Sequence, residues 1–381
     1  MAEDARLADF RESGGAPVEG LYVHVPFCPF RCAYCDFDFT TQKSLVPGYL
    51  AAVAREAAGL GGIARPRTVF FGGGTPSLLA SADFKALAAA LRAGLDLTGV
   101  EEWSIEANPE TVTPEKARLW KACGVNRVSL GAQTFSDARL AALGRPAKVS
   151  DVRGAWEILR GAGFDNLNID LIYGIPGTGM DEWRADLREA LAFAPDHVSC
   201  YALTVEEKTP LGLAVRRGTA SPVAEELSAA LYREAVKHLA AAGIIRYEVS
   251  NFALSGKECR HNLNAWRGGR YLGLGPSAAS FVGNARGANA RGAARYARAV
   301  QEGGSAYKIE RRLTAMELLR EKALLGLRLA EGIPDGEIPA EEPPETLDRL
   351  LSEGLVARAG GRLVPTARGF LFADEISAAL I

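Results

Sequence analysis

Three cysteines fall within eight residues of the 381-residue chain, in the segment YVHVPFCPFRCAYCDFDF, at Cys28, Cys32 and Cys35. The spacing C-x3-C-x2-C offers three thiolates to a [4Fe–4S] cube and leaves the fourth iron without a protein ligand. That open iron can chelate the amino and carboxylate groups of S-adenosylmethionine (SAM), and one electron from the cluster can then break a carbon–sulfur bond of SAM. The cysteine pattern therefore predicts a cluster that binds SAM.

A zinc site is the main alternative for these cysteines. A structural zinc ion takes four ligands, and no fourth cysteine follows, since Asp36 and Phe37 come next. His24 is a candidate fourth ligand, but it belongs to the preceding predicted strand rather than to the loop. The cluster is therefore favoured. The other three cysteines are scattered and are expected to be buried thiols: Cys123, Cys200 and Cys259.

Short β-rich runs alternate with longer helical patterns between residues 21 and 245. The predicted strands are 21–25, 68–71, 102–107, 127–130, 167–172 and 198–203, and the predicted helices are 47–59, 81–94, 114–123, 150–162, 180–193 and 224–242. Six β-then-α units predict an α/β fold with a parallel sheet and covering helices. Eight units would close a barrel, so six indicate a partial (β/α)6 barrel, with a doubly wound sheet as the alternative.

Polar residues follow most of these strands, which is where active sites lie in such folds. Glycines let a backbone approach a ligand closely, carboxylates suit ribose hydroxyls or an ammonium group, and an arginine pairs with a carboxylate. Each residue alone is more often a cap or a surface group, but the series favours a SAM site. The candidates are Tyr22, Gly73, Gly74, Thr75, Glu106, Gln133, Arg145 and Asp170.

A second region is predicted after residue 250, where Gly and Asn are frequent. A helical pattern at 313–329, the linker EIPAEEPPE, a helix near 346–352 and the hairpin-like LVARAGGRLVPT predict a small α+β, winged-helix-like module. Its expected role is packing. The predicted organisation is an N-terminal extension (1–20), the barrel (21–250) and a C-terminal region (251–381).

The motifs taken together resemble those of a known family. Tyr34 before the last cysteine resembles the radical SAM signature, and YVHVPFCPFRCAYCDF, FFGGGTPS, SIEANPE, SLGAQTF, LGRP and IDLIYGIPG resemble the HemN/HemW branch of that superfamily. The resemblance implies that Tyr34 belongs to the SAM site. The branch contains oxygen-independent coproporphyrinogen III oxidases, heme chaperones and methyltransferases.

Two features favour the chaperone side of the branch. About twenty residues precede the first strand, so the longer extension of the oxidases is missing, and Asp36 and Phe37 replace their Gly-Cys pair.

The segment CRHNLNAWRGGRYLGLGP also resembles the HemW heme-binding motif and implies that His261 is a heme ligand. The motif's tyrosine is Ala265 here and a later histidine is Ala279, two departures that weaken the inference. The alternative is that His261 and Asn262 only bind their loop to the barrel. Nearby cationic side chains suit heme propionates or a solvated surface: Arg260, Arg267, Arg270, Arg286, Arg291, Arg295 and Arg298.

Composition narrows the remaining function classes. A net charge of −2 argues against a nucleic-acid binder, and no apolar run is long enough for an integral membrane protein. The acidic N-terminus MAEDARLADFRESGGAPVEG lacks a signal-peptide core, so a cytoplasmic location is expected.

The resemblance implies a heme chaperone that transfers heme to an acceptor protein, with flavodoxin or ferredoxin as an electron donor. The alternative is a radical SAM enzyme acting on a tetrapyrrole, or a methyltransferase.

Overall fold

The computed structural model describes residues 4–15, 17–338 and 344–379. Its strands are β1 (Val18–Val25), β2 (Ala64–Gly73), β3 (Glu102–Ala107), β4 (Arg127–Gln133), β5 (Leu167–Tyr173), β6 (His197–Ala202), β7 (Ile245–Arg246), β8 (Asn251–Ala253), β9 (Tyr271–Leu274), β10 (Ala279–Val282), β11 (Ala285–Asn289), β12 (Tyr307–Arg312), β13 (Ile333–Pro334), β14 (Val356–Ala359) and β15 (Arg362–Pro365).

One α-helix precedes β1, and the others lie between and after the strands. The helices are α1 (Ala5–Glu12), α2 (Val46–Gly59), α3 (Ser81–Gly94), α4 (Pro114–Ala122), α5 (Asp137–Ala142), α6 (Val149–Gly161), α7 (Met180–Ala192), α8 (Pro210–Arg216), α9 (Glu225–Ala241), α10 (Arg260–Trp266), α11 (Ala293–Gly303), α12 (Ala315–Gly326), α13 (Pro344–Ser352) and α14 (Ala373–Ala379). Among the described residues, we find no helix with the length and apolar character needed to cross a membrane.

Strands β1 to β6 lie side by side in chain order, and each is parallel to the next. Alternate side chains of β4 show why these segments form strands: Val128, Leu130 and Ala132 are fully buried in the apolar core under the helices. The intervening residues Ser129 and Gln133 line the inner, concave side, which we call the lumen. The predicted six-strand parallel sheet with covering helices is confirmed, and the barrel is open because β1 does not pair with β6.

The sheet is wider than the sequence predicted. Its full order is β12-β11-β10-β9-β1-β2-β3-β4-β5-β6-β8-β7, so that β9 pairs in parallel with β1 and β8 pairs antiparallel with β6. These flanking strands have two to six residues and many Gly, Ala, Asn and Arg, so they lack the apolar β-branched runs that identify a strand. They extend the sheet at both edges.

The C-terminal module has its own small core. Leu327, Ile333, Leu350 and Leu363 are buried together there, away from the main core, and β13, β15 and β14 form a three-stranded sheet beside α12, α13 and α14. The predicted helices and hairpin are present. Residues 339–343 of the predicted linker lie outside the described residues. The predicted domain limits stay a prediction. The large sheet continues past the predicted limit at residue 250, as far as Arg312 in β12.

The first helix is bound to the sheet by a buried charge network. Arg6 is fully buried and donates to Asp4, to the Gly273 carbonyl at 2.9 Å and to Glu56 at 2.7 Å. Glu56 also accepts hydrogen bonds from the Asn289 side chain, the Gly275 amide and the Tyr296 hydroxyl. The two charges are therefore paired and hydrogen-bonded, as burial requires. This network joins α1, α2 and the β9–β11 region.

Candidate functional site

A cavity of about 530 Å³ opens at the carboxyl ends of the parallel strands. It brings together eleven of the thirteen residues that the sequence proposed for binding the cluster, SAM or heme iron: Cys28, Cys32, Tyr34, Cys35, Gly73, Gly74, Thr75, Glu106, Gln133, Arg145 and Asp170. We call this the cluster cavity. The other two residues, Tyr22 and His261, line a neighbouring cavity.

The cysteine loop is held to the barrel mainly by backbone hydrogen bonds. The amide of Cys28 donates to the Thr40 carbonyl at 3.0 Å, and the amide of Ala33 donates to the Leu143 carbonyl at 2.9 Å. Burial raises the pKa of all three thiols, that of Cys28 to about 11. Half-buried thiols with raised pKa values are poor thiolates by themselves, but a bound metal removes the thiol proton outright. The donor set therefore suits a metal cluster.

The glycines after β2 leave no room for a side chain. Gly73 has a φ of +106°, and a Cβ there would lie 2.5 Å from the His24 ring. At Gly74 a Cβ would lie 2.9 Å from the carbonyl oxygens of Val25 and Phe27. Packing against β1 and the residues after it therefore selects glycine at both positions, and the bare backbone of this turn lines the cluster cavity.

Gln133 and Arg145 also line the cluster cavity. Gln133 has a φ of +65°, the left-handed region that favours glycine. A glutamine held there despite the strain is typical of a ligand site. Arg145 is buried and donates from Nη2 to Asn108 Oδ1 and the Gly131 carbonyl, each at 2.9 Å, while its Nε has no protein partner. This free donor is suited to an anionic group of a ligand.

Two half-buried carboxylates, Glu106 and Asp170, also line the cluster cavity. Glu106 accepts a hydrogen bond from the Gly73 amide at 3.1 Å, and burial together with the charge of Asp170 raises its pKa to about 7. Burial also raises the pKa of Asp170, although hydrogen bonds from Ser199, Ser129 and Asn168 oppose the rise. Both groups can accept hydrogen bonds from a ligand once they are ionised.

Sequence reasoning missed several residues that line this cavity, among them Arg127, Ser129, Ser199, Asn251 and Asn262. One signal was available for two of them: β4 reads RVSLGAQ, in which Arg127, Ser129, Gly131 and Gln133 alternate with apolar residues. Because alternate residues of a strand share a face, the predicted position of Gln133 also places Arg127 in the lumen.

The second cavity, of about 450 Å³, adjoins the cluster cavity. We call it the histidine cavity because His24 and His261 line it, together with Tyr22, Ala265, Tyr271 and Ala279. Both cavities are lined by Gly73, Asp36 and Phe37, which form a shared wall. Occupants of the two cavities would therefore be close neighbours.

His24 supports this wall. Its Nε2 lies 2.8 Å from the carbonyl oxygen of Asp38, and its Nδ1 lies 3.2 Å from the Tyr22 hydroxyl. Since a carbonyl only accepts, Nε2 carries the proton and Nδ1 accepts from Tyr22. Both nitrogens are thus engaged within the protein, and His24 holds the segment after Cys35 rather than acting as a fourth metal ligand.

His261 is held from two sides. Its ring Nδ1 lies 3.0 Å from the Thr68 hydroxyl, and its backbone amide donates to Glu102 at 3.1 Å. The ring stacks on Phe70 with centroids 5.2 Å apart. Burial, with a contribution from Arg127, lowers the imidazole pKa to about 4. The ring is therefore neutral near pH 7 and able to coordinate a metal.

Most of the arginines proposed for propionates are engaged elsewhere. Arg260 pairs with Glu101, Arg267 with Glu331 and Arg286 with Glu321. Arg270 donates to the Gly268 and Gly283 carbonyls. Arg291 lines the histidine cavity. The remaining cysteines, Cys123, Cys200 and Cys259, are buried as predicted.

Comparison with known proteins identifies the family. The Radical SAM superfamily profile matches residues 22–190, and the HemN C-terminal domain profile matches residues 313–372. The heme chaperone HemW of Bacillus subtilis (strain 168) is 32% identical over 376 residues, which cover 96% of this chain and 99% of that protein. This chain belongs to the HemW family of radical SAM proteins. Membership of the superfamily implies a [4Fe–4S] cluster and SAM as cofactors, and the predicted family is confirmed.

A second HemW relative supports the same family, and one solved structure has the same fold. The heme chaperone HemW of Mycobacterium tuberculosis (strain CDC 1551 / Oshkosh) is 38% identical over 387 residues and covers 99% of both chains. Coproporphyrinogen III oxidase (HemN) from Escherichia coli superposes with a TM-score of 0.86 at 23% identity, covering 100% of this chain and 93% of that one. That structural likeness establishes the shared fold.

The residues present fit these cofactors. Three thiols converge on the cluster cavity, Gly73 and Gly74 have no space for side chains, and Arg145 offers a buried donor without a protein partner. The site thus provides three sulfur ligands for a cluster and a polar wall for an amino acid group.

Proposed function

We propose that this protein is a heme chaperone that carries a [4Fe–4S] cluster on Cys28, Cys32 and Cys35, binds SAM beside it and holds heme on His261. The observation that carries the proposal is the half-buried, neutral imidazole of His261, which lines a cavity that shares a wall with the cluster cavity. Neutral imidazole is a common axial ligand of heme iron. The HemW relatives, named as heme chaperones, support the same function.

The proposed SAM site uses the walls of the cluster cavity. Gly73, Gly74 and Thr75 face the amino acid end of SAM, where Arg145 pairs with its carboxylate. Glu106, Gln133 and Asp170 accept hydrogen bonds from the ribose or the ammonium group. Tyr34 lies next to Arg145 and Cys32 and closes this end of the cavity. When bound, the cluster and SAM supply one-electron cleavage chemistry.

The proton on His261 can be assigned from its neighbours. The Thr68 hydroxyl donates to the Glu19 carbonyl, at 3.5 Å, so its oxygen is available to accept from His261 Nδ1. With the proton on Nδ1, the lone pair of Nε2 is free for heme iron. Metal-binding histidines commonly donate their other nitrogen in this way, which orients the ring. We infer that Thr68 positions the ligand.

The two alanines that depart from the family motif both line the histidine cavity. Tyr22 and Tyr271 line it as well, and they offer aromatic surface to a flat macrocycle. Arg291 contributes a cation that suits a propionate. We infer that Ala265 and Ala279 widen the site for heme while His261 supplies the axial bond.

We expect His261→Ala to abolish the shift of the heme Soret band that the wild-type protein produces, because the axial nitrogen is lost. Absorption titration of purified protein with heme measures this. The matched control is His238→Ala, since His238 is half-buried on α9 and contacts Glu234 far from the cavity. An unchanged Soret titration in His261→Ala would remove His261 as the ligand.

We expect Thr68→Val to weaken heme binding by about 10- to 100-fold without abolishing it, the usual effect of losing a partner of a metal-bound histidine. Valine keeps the shape of threonine but cannot accept the Nδ1 proton. The same titration gives the affinity. Wild-type affinity in Thr68→Val would show that His261 needs no such partner.

The enzymatic alternative has a direct test. A porphyrinogen-acting enzyme would consume SAM in the presence of coproporphyrinogen III and change the mass of that substrate. The chaperone proposal predicts neither SAM consumption nor a mass change under anaerobic conditions, and instead predicts loss of heme from the protein to an acceptor.

Such a chaperone requires a heme-acceptor protein and, if the cluster is reduced, an electron donor such as flavodoxin or ferredoxin. We propose a cytoplasmic location for this exchange.

A further inference from the structure

Arg127 is a buried cation without a direct partner. Its side chain lies at the start of β4 and is 3% exposed, and its Nε makes no hydrogen bond. Among the residues that the structure describes, none forms an ion pair with it. A buried charge that nothing offsets costs several kcal/mol. The groups that face the lumen around Arg127 must therefore offset its charge.

The strand registers place Arg127 below the two carboxylates of the cluster cavity. Ser104 and Arg127 are partners across β3 and β4, and the next lumen-facing pair is Glu106 and Ser129. Ser129 in turn donates to Asp170. Arg127 therefore lies two residues, roughly 6–7 Å along the strands, beneath the level of Glu106 and Asp170.

Several titratable groups surround the guanidinium: Glu102 and Glu106 on β3, Asp170 on β5, His197 on β6, Tyr247 before β8, and Cys259 and His261 at α10. His197 is neutral because burial lowers its pKa far below the usual value, and burial raises the pKa values of Cys259 and Tyr247 above the physiological range. Glu102 is engaged by the amides of Arg260 and His261. Glu106 and Asp170 are the carboxylates that also line the ligand cavity.

We propose that Arg127 is a positioning residue, the counter-charge that keeps Glu106 and Asp170 ionised so that both can accept hydrogen bonds from SAM. It acts through the field of its charge on the two carboxylates. The inference rests on the proposed assignment of Glu106 and Asp170 to SAM.

Electrostatics supports this role at both carboxylates. Burial raises the pKa of Glu106 and of Asp170, and the charge of Arg127 opposes the rise at each. Without the cation, both carboxylates would retain their protons to higher pH. A protonated carboxyl group has lost half of its acceptor capacity and the charge that strengthens its hydrogen bonds.

The test measures SAM affinity of the anaerobically reconstituted protein between pH 6 and 9. In the wild type, affinity rises with pH as Glu106 ionises. In Arg127→Met we expect the midpoint to move up by about one pH unit from about 7, so that affinity at pH 7 falls about fivefold and recovers toward pH 9. Arg127→Lys, which keeps a cation, restores the wild-type profile. Arg153→Met removes an exposed arginine paired with Glu189 and is expected to change nothing.

Two further outcomes separate the inference from the proposed function. If Glu106→Gln and Asp170→Asn both bind SAM as tightly as the wild type, the assignment of these residues to SAM is wrong. If those variants lose affinity but Arg127→Met keeps the wild-type affinity and pH profile, only the role of Arg127 is overturned. Near-ultraviolet circular dichroism establishes that each variant is folded before titration.

Discussion

Cys32→Ser protein, reconstituted anaerobically with iron and sulfide, is expected to lack the visible absorption of a [4Fe–4S] cluster and to bind SAM no longer. Cys32 is one of the three thiols that converge on the cluster cavity, and serine is a poor ligand for the soft iron–sulfur core. With two thiolates left, the cube loses an anchor and the open iron loses its fixed position. Absorption and electron paramagnetic resonance spectra, followed by SAM titration, measure both losses.

Cys123→Ser is the matched control for that experiment. Cys123 is buried at the end of α4, in the core under the helices and away from the cavity. We expect this variant to keep a cluster of wild-type spectrum, at a modest cost in stability. An intact cluster in Cys32→Ser, or zinc in the wild-type protein, would contradict the proposed metal site.

Glu56→Ala is expected to reduce the free energy of unfolding by about 3–5 kcal/mol, the largest effect on stability that we predict. The substitution removes the acceptor of four hydrogen bonds and leaves the guanidinium of Arg6 buried with Asp4 as its remaining charged partner. Denaturant titrations of wild-type and variant protein, with the same cofactor content, give the difference.

Glu189→Ala is the matched control for the carboxylate. Glu189 is on α7 and pairs with Arg153, and both side chains are about half exposed. Exposed pairs contribute about 0–1 kcal/mol, so this variant should unfold close to the wild type. If Glu56→Ala did the same, the network around Arg6 would be a contact of the folded state with no net stabilising effect.

The sequence predicted the six parallel strands and the six main helices of the barrel, with bounds that lie within four residues of the observed ones. The strand predicted at 102–107 is β3, and the helix predicted at 81–94 is α3. These elements have strong apolar periodicity and clear starts such as Thr113 before Pro114, where the Thr113 side chain accepts from the Lys116 amide. Local signals of this kind suffice where each segment buries one face on a common core.

The flanking strands β7 to β12 could not be predicted from local sequence signals. β9 contains Gly273 and β11 is the mixed segment ARGAN. A Cβ at Gly273 would lie 2.1 Å from the Ala279 carbonyl, so close packing between strands selects glycine there. Tertiary contact, rather than intrinsic preference, makes these residues strands.

The site was predictable in part for a similar reason. Residues at strand ends, such as Glu106 and Gln133, could be placed together because parallel strands present their carboxyl ends at one edge. The division into two cavities could not, because it depends on α10 and on the loop that places Asp36 and Phe37 between them. Tyr22 and His261 therefore lie in the histidine cavity, with the SAM role of Tyr22 still a prediction.

The pairing of β1 with β9 has a consequence for folding during synthesis on the ribosome. Strand β1 is hydrogen-bonded on one side to β2 and on the other to β9, which lies some 250 residues further along the chain. At the usual rate of synthesis, a ribosome takes roughly 12–50 s to make that stretch. Throughout this interval one flank of β1 has unpaired amides and carbonyls, the kind of edge that recruits foreign strands. A nascent chain of this protein is accordingly expected to need a chaperone of its own before it can serve as one.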